Sequence, residues 1–359
     1  MNAWVLGNPG EVFTTTKPIP KPGNAEVLIK INAVAICATD LEIIHHGFPA
    51  LIDGELPFNK NFTPGHEFMG TIAELGPNVD EYNIGDRVAV EIHAGCGRCS
   101  RCREGMYTSC HNYGKNYGNM NKGHRANGYT TDGAFTEYAV NHINTLVAVP
   151  KDLSNEVATL IVTAGTAMYA IDTIDGLIAG QSLAITGAGP IGLLCVAVAK
   201  ALGANPIFLS DIIDSRLEVG KSLGADYIIN ANNTNFNNFL LEKNNNLGVD
   251  YLIECSGSPQ GLDQATQLVN RGGKICLAAF SNKPSSVNVG NIVANNISLY
   301  GIRGEGKSAV KRAASLIKNK ALDPSPILTH TFNMKDLPKA LKYARERIDG
   351  AIKVVVKNS

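Results

Sequence analysis

The sequence predicts an α/β protein of two domains, a mainly antiparallel β domain and a doubly wound parallel sheet. Three observations carry that prediction. Residues 1–155 break into short apolar runs punctuated by Gly, Pro and Asn, the pattern of an antiparallel, partly barrel-like fold. From about Thr163 the rhythm changes to apolar strand, turn and long helix. The chain of 359 residues is also too long for one ordinary core and fits two.

In chain order, the first domain shows strand runs at Glu26–Ala35, Gly70–Leu75, Asp86–Ile92 and Thr136–Val140. The clearest unit of the second is Ser182–Thr186, a glycine turn Gly187–Gly192, a helix Leu193–Leu202 and a strand Pro206–Ser210, which together read as a βαβ crossover. Strands at Tyr227–Ile229, Val249–Glu254, Gly273–Ala278 and Ile297–Gly301 continue the sheet. After Gly301 come helices at Lys307–Asn319 and Leu337–Arg347 and a last strand, Ala351–Val356. The predicted domains are therefore residues 1–162 with 302–359, and residues 163–301.

Charge excludes two classes of partner. Lys plus Arg total 32 and Asp plus Glu total 32, so no basic field exists to hold nucleic acid or an anionic membrane. The longest apolar stretch, Leu183–Leu202, is broken by Gly187, Gly189, Pro190 and Gly192 and suits a buried strand–turn–helix rather than a span. The start, Met-Asn-Ala-Trp-Val, has no charged n-region before an apolar stretch, and the many unpaired cysteines suit a reducing cytoplasm.

Cys96, Cys99, Cys102 and Cys110 have the spacing C-x2-C-x2-C-x7-C and make up half of the chain's 8 cysteines. Four thiolates close a tetrahedral shell around Zn²⁺, with Zn–S about 2.3 Å and no position left for water, so this lobe reads as a structural zinc. Disulfides fit less well, because they are a device of small secreted chains.

In Gly187-Ala188-Gly189-Pro190-Ile191-Gly192 the glycines follow an apolar strand and open a helix, and Asp211 ends the next strand. The first Gly permits a tight turn, the second lets a pyrophosphate approach the backbone, and the third allows close helix–strand packing. The helix start offers amides to the phosphates. Asp211 suits the hydroxyls of an adenosine ribose and repels a 2′-phosphate, so the predicted cofactor is NAD rather than NADP. Arg216 reads as an adenine or ribose contact, and Arg303 as a partner for the pyrophosphate.

Thr63-Pro-Gly-His66-Glu67 and Ile36-Cys37-Ala-Thr39-Asp40 offer a thiolate, an imidazole and a carboxylate. That set suits a catalytic zinc with one open position. Such a zinc is a Lewis acid that lowers the pKa of a bound alcohol.

With these residues in view, the chain resembles the zinc-dependent medium-chain dehydrogenase/reductase superfamily, the alcohol, sorbitol and threonine dehydrogenase group, over essentially its whole length. Gly65, His66, Glu67, Gly70, Gly76 and Val79 match the zinc signature G-H-E-x-x-G-x5-G-x2-V. The resemblance implies a GroES-like catalytic domain and a Rossmann cofactor domain. It also implies two Zn²⁺ per chain and a homodimer or homotetramer, with the edge strand Ile297–Gly301 as the pairing surface. By it, Cys37 and His66 ligate the catalytic zinc, Thr39 passes the alcohol proton to the cofactor ribose, and Asp40 orients His66.

Two positions depart from the family. Val162 stands where relatives place a third ligand, so the shell must recruit Glu67, with water completing it. Glu42 stands where alcohol dehydrogenases place a relay histidine, so a proton would leave through Glu42 or solvent.

Glu91 and His93 put polar groups where simple alcohol dehydrogenases tend to carry apolar ones. Two further stretches, Phe48–Phe62 and Gly114–Tyr129 with His124 and Arg125, read as parts of the substrate rim. The predicted substrate is a secondary alcohol of a polyol, sugar or cyclitol. L-Threonine or another amino alcohol is the alternative within the enzyme class. A catalytically silent NAD-binding protein is the alternative outside it, motivated by Val162.

Overall fold

A computed structural model describes residues 1–47, 61–112, 125–176, 178–280 and 284–358. The chain divides into two compact units. One comprises Met1–Val162, Glu305–Ala314 and Leu328–Ser359; the other comprises Thr163–Gly304 and Ser315–Ile327. The division falls inside two helices, Leu160–Thr173 and Ala309–Lys318. The sequence placed all of 302–359 in the first domain. The segment 315–327 instead goes with the second, where Ser325–Ile327 lies against the helix Asp214–Ser222.

In the first unit seven strands form one sheet around the long strand Glu26–Ala35. That strand pairs antiparallel with Glu67–Leu75, with Tyr138–His142 and with the closing strand Lys353–Lys357. Arg87–Val90 and Leu146–Ala148 extend one side, and Leu328–Asn333 joins the other, parallel to Lys353–Lys357. A separate hairpin pairs Asn2–Leu6 with Val12–Thr16. The core gathers β-branched and aromatic side chains from these strands, among them Ile29, Ile31 and Phe68, with Phe135 from the segment before Tyr138–His142 and Leu337 and Leu341 of the helix Leu337–Glu346. Such residues fit a pleated, half-buried surface, which is why the interrupted runs fold as strands.

The second unit is a six-stranded, all-parallel sheet in the order Tyr227–Asn230, Ile207–Asp211, Leu183–Thr186, Val249–Glu254, Val269–Leu277, Ser298–Gly301. The order reverses beside Leu183–Thr186. That is where open α/β sheets bind ligands, at the carboxyl ends of their strands. The three central strands are almost wholly buried, as a sheet covered on both faces requires.

Three details differ from the sequence reading and bear on function. The strand expected from Gly70 begins at Glu67, so the signature carboxylate is a strand residue. The helix expected from Leu193 begins at Pro190, which occupies its first turn, where a missing N–H costs nothing. The helix Ala38–His46, which carries Thr39, Asp40 and Glu42, was not foreseen as a helix. No helix among the described residues is long and apolar enough to cross a membrane.

Candidate active site

Asp40 organises the first metal centre. Cys37 is the N-cap of the helix Ala38–His46, and Asp40 sits at its third position, completing a capping box. One carboxylate oxygen accepts the Cys37 N–H at 2.9 Å. The other accepts the Gly65 N–H at 3.1 Å and meets His66 Nδ1 at 2.9 Å. With Nδ1 held, Nε2 is the ring nitrogen left for a metal. Burial works against a charged His66, but Asp40, Tyr129 and Cys37 together hold its pKa well above the ordinary value. A metal binding there must displace that proton.

The ligand atoms of Cys37, His66 and Glu67 all lie within 4.8 Å of one another. No fourth His, Cys, Asp or Glu joins this group among the described residues. Val162 is buried and offers no donor. A thiolate, an imidazole and a carboxylate at this spacing fit Zn²⁺ with one position open.

Glu67 has a second partner that the sequence reading missed. Lys353, only 2% exposed, makes an ion pair with Glu67 Oε2. Burial pulls the ammonium's pKa down, but Glu67 and Cys37 outweigh it and raise the pKa. Lys353 therefore carries charge beside Glu67. The one local signal was a lysine opening the apolar strand Lys353-Val-Val-Val.

Thr39 Oγ1 is 3.8 Å from Cys37 Sγ. Glu42 is exposed on the same helix, outside the Cys37 group. Tyr129 also escaped the sequence reading as a residue in its own right. Its ring centroid is 5.0 Å from that of His66 and 6.0 Å from that of His93. Arg125, which the sequence offered for substrate, makes an ion pair with Glu26. Residues 48–60 and 113–124, including His124, lie outside the described residues.

Glu91 and His93 are buried. Tyr107 donates its hydroxyl to Glu91 Oε2 at 2.6 Å, and the His93 N–H donates to Glu305 Oε1 at 3.2 Å. Glu305, wholly buried, was not foreseen, and its Oε2 has no hydrogen-bond partner among the described residues. Burial and the facing Glu305 push Glu91 up to about 8, despite the Tyr107 hydroxyl, and burial pushes Glu305 up to about 7. A carboxyl whose folded pKa is raised favours the folded state below its ordinary pKa and loses that contribution as pH rises through the folded value. Thermal stability should therefore decline from about pH 4.5, the ordinary carboxyl value, to about pH 8 and level off above it. Glu305→Gln should flatten the decline and raise the midpoint at pH 8.5 by roughly 2–6 °C, corresponding to about 1–2 kcal/mol. Differential scanning calorimetry across pH checks this, and curves that stay parallel would remove Glu305 as the cause.

Cys96, Cys99, Cys102 and Cys110 form the second candidate metal group, with all four sulfurs within 4.8 Å of one another. Cys96 and Cys102 Sγ are 4.0 Å apart. Burial alone would raise the Cys96 thiol, yet the backbone amides of Arg98 and Cys99 bring it down to about 6. Burial pushes Cys110 up to about 12. A metal would have to take that last proton, as it does when it binds four thiolates.

In the second unit Gly187 has φ +91, and a Cβ there would come within 2.8 Å of Ser256 N. A Cβ on Gly192 would come within 1.8 Å of Gly187 O. A Cβ on Gly189, by contrast, would meet nothing within 4 Å. The turn is closed behind and open in front, the shape a pyrophosphate cradle needs. Pro190, Ile191 and Gly192 form the helix's first turn. Asp211 accepts the Ala188 N–H at 2.6 Å, which ties the end of its strand to the glycine turn. Its other oxygen accepts from Ile212 and Ile213 N–H at 2.7 and 3.0 Å. Arg216 lies one turn on, in the helix Asp214–Ser222, and Arg303 is exposed beyond the edge strand.

Comparison with known proteins places these features. Residues 23–151 match the alcohol dehydrogenase GroES-like domain family, and residues 190–319 match the zinc-binding dehydrogenase family. L-Threonine 3-dehydrogenase of Pyrococcus horikoshii is 37% identical over 88% of this chain and 86% of its own. Sorbitol dehydrogenase of Bacillus subtilis is 33% identical over 99% of this chain and 97% of its own. Among solved structures, an alcohol dehydrogenase from Escherichia coli CFT073 complexed with NADH superposes with TM-score 0.88. It is 26% identical over 99% of both chains.

Proposed function

This chain belongs to the zinc-dependent medium-chain dehydrogenase superfamily, and on that premise we propose that it moves hydride from a secondary alcohol of a polyol, sugar or cyclitol to NAD. The observation that carries the proposal is the group formed by half-buried Cys37 with buried His66 and Glu67, the imidazole aimed by Asp40. Zinc, when bound there, supplies Lewis acidity to the substrate oxygen. The chain's own residues do the rest. Asp40 fixes the imidazole, Thr39 stands beside Cys37 to take up the hydroxyl proton, and Lys353 balances the charge on Glu67.

Substrate class follows from the surroundings. Half-buried Tyr129 and buried His93, Glu91 and Glu305 continue from His66 as polar groups rather than as an apolar wall. Such a site favours a substrate with several hydroxyls and rejects an analogue that leaves those groups unpaired. A second reading, L-threonine or another amino alcohol, is favoured by the 37% identity to a threonine 3-dehydrogenase. Asp211 supports NAD over NADP, since its carboxylate would repel a 2′-phosphate. Cys96, Cys99, Cys102 and Cys110 would hold a second, structural zinc. The outer strand Ser298–Gly301, with Leu299 partly exposed, supports pairing of two chains at the sheet edge.

One assay tests the reading: reduction of NAD and NADP across polyols, inositols, aldoses, L-threonine and simple alcohols. We expect kcat/KM for the best polyhydroxylated substrate to exceed that for ethanol by roughly a hundredfold or more. NAD should outperform NADP by at least about tenfold. Preference for threonine would select the second reading. No turnover of any alcohol by zinc-loaded protein would sink both.

A further inference from the structure

We propose that the first unit carries a further small-molecule site, a cleft beside the strand Asn2–Leu6 that takes a flat aromatic anion. The proposal goes beyond the dehydrogenase reading and does not rest on it. None of the lining residues belongs to either metal group or to the glycine turn.

Shape is the first observation. The cleft encloses about 580 Å³, inside the roughly 300–1,000 Å³ typical of ligand sites. Its walls come from separate stretches of the first unit, and hydrogen bonds tie those stretches together. The Trp4 N–H donates to Phe135 O at 2.8 Å, and its indole Nε1–H donates to Met334 O at 3.0 Å. The Ile31 N–H donates to Glu137 O at 2.8 Å. Asn358 Nδ2 donates to Ile31 O and to Thr136 O, each at 3.0 Å. A cleft stapled in this way exists before any ligand arrives, so little ordering cost opposes binding.

The lining is the second. Ala3, Ile31 and Met334 contribute buried apolar surface, and Trp4 and Tyr138 stand half-buried beside them. Trp4 has already given its one N–H to Met334, so the indole has only apolar ring left to offer a ligand. Lys30, Lys335 and Lys357 are exposed at the same cleft, with Lys30 paired across the strands from Tyr138. Lys357 bonds Glu156 at 2.9 Å, whereas Lys30 and Lys335 have no ion-pair partner among the described residues. The one lining carboxylate, Glu137, accepts the Asn2 N–H at 2.7 Å. The whole chain balances 32 basic against 32 acidic residues, so three lysines facing one glutamate is a local excess. Apolar surface and aromatic faces select a flat ring, and the ammonium groups select a negative substituent on it. A neutral sugar satisfies neither, and a cation is repelled.

Trp4 is the chain's only tryptophan, so its emission reports from the cleft itself. The test titrates phenyl phosphate, inorganic phosphate and phenol into the full chain with saturating NAD, which keeps phosphate off the glycine turn. Phenyl phosphate should change the emission saturably, with a Kd of about 0.1–1 mM. Inorganic phosphate lacks the ring and phenol lacks the charge, so each should bind at least about tenfold more weakly. The double variant Lys30→Gln with Lys335→Gln should weaken phenyl phosphate by about tenfold or more. Both side chains are exposed, so its melting midpoint should stay within about 2 °C of wild type. Calorimetric titration gives the same affinities without relying on fluorescence. Equal affinity for phosphate and phenyl phosphate would overturn the proposal. So would undiminished binding in the double variant, the result expected if the anion sits on a metal instead. No saturable change up to about 20 mM phenyl phosphate would leave only a solvent-filled crevice, and the proposal fails.

Discussion

Glu67→Gln should release one zinc per chain and cut turnover by roughly a hundredfold or more, while the thiolate-bound zinc stays in place. The expectation follows from elimination within a crowded site. Val162 has no donor atom, and Asp40 is committed to Cys37, Gly65 and His66. Glu67 is then the only carboxylate in reach of Cys37 and His66 among the described residues. The amide of Gln keeps the volume but loses the charge, and it leaves the buried Lys353 ammonium unpaired. Breaking such a pair from one side typically costs about 3–5 kcal/mol, so the variant should also melt earlier. Lys353→Met separates the two effects, because it removes the ammonium and leaves Glu67 to the metal; it should retain both zinc ions. Elemental analysis with steady-state kinetics reads both variants. A Glu67→Gln protein with two zinc ions and full turnover would show that Glu67 is no ligand.

Cys99→Ser should act on stability instead of chemistry. Its thiol belongs to a group of four sulfurs that completes a zinc shell by itself. Losing a structural zinc is worth several kcal/mol, and each shifts the midpoint by about 2–4 °C in a domain of this size, so a fall of about 10 °C is expected. At 25 °C the surviving folded enzyme should keep kcat within about twofold, since a closed shell takes no part in the reaction. Calorimetry on metal-replete protein is the measurement. An unchanged midpoint would mean the lobe holds no stabilising metal, and a collapse of kcat at unchanged midpoint would place it in the chemistry.

The features legible in the sequence were those written in consecutive residues. The four cysteines, the glycine turn with Asp211, and Gly65-His66-Glu67 each state their chemistry through spacing, and the structure assembles each as a group. The alternation of apolar runs likewise announced one antiparallel and one parallel sheet. Partners brought together by strand pairing were not legible. Lys353 reaches Glu67 because Glu67 pairs opposite Ala35 and Ala35 opposite Val355, a register no local pattern encodes. Tyr129 and Glu305 carry no motif, and Glu305 meets His93 across a separation of 212 residues. Glu42, suggested by alignment with a relay position, is exposed on the helix Ala38–His46.

The three bonds of Asp40 have a mechanical consequence. The carboxylate that closes the first turn of the helix Ala38–His46 also aims the imidazole of His66 and anchors the strand entry at Gly65. Fraying of that turn and loss of ligand alignment are therefore one event rather than two. Loosening of that single helical turn would therefore disarm the metal centre even with the sheet intact.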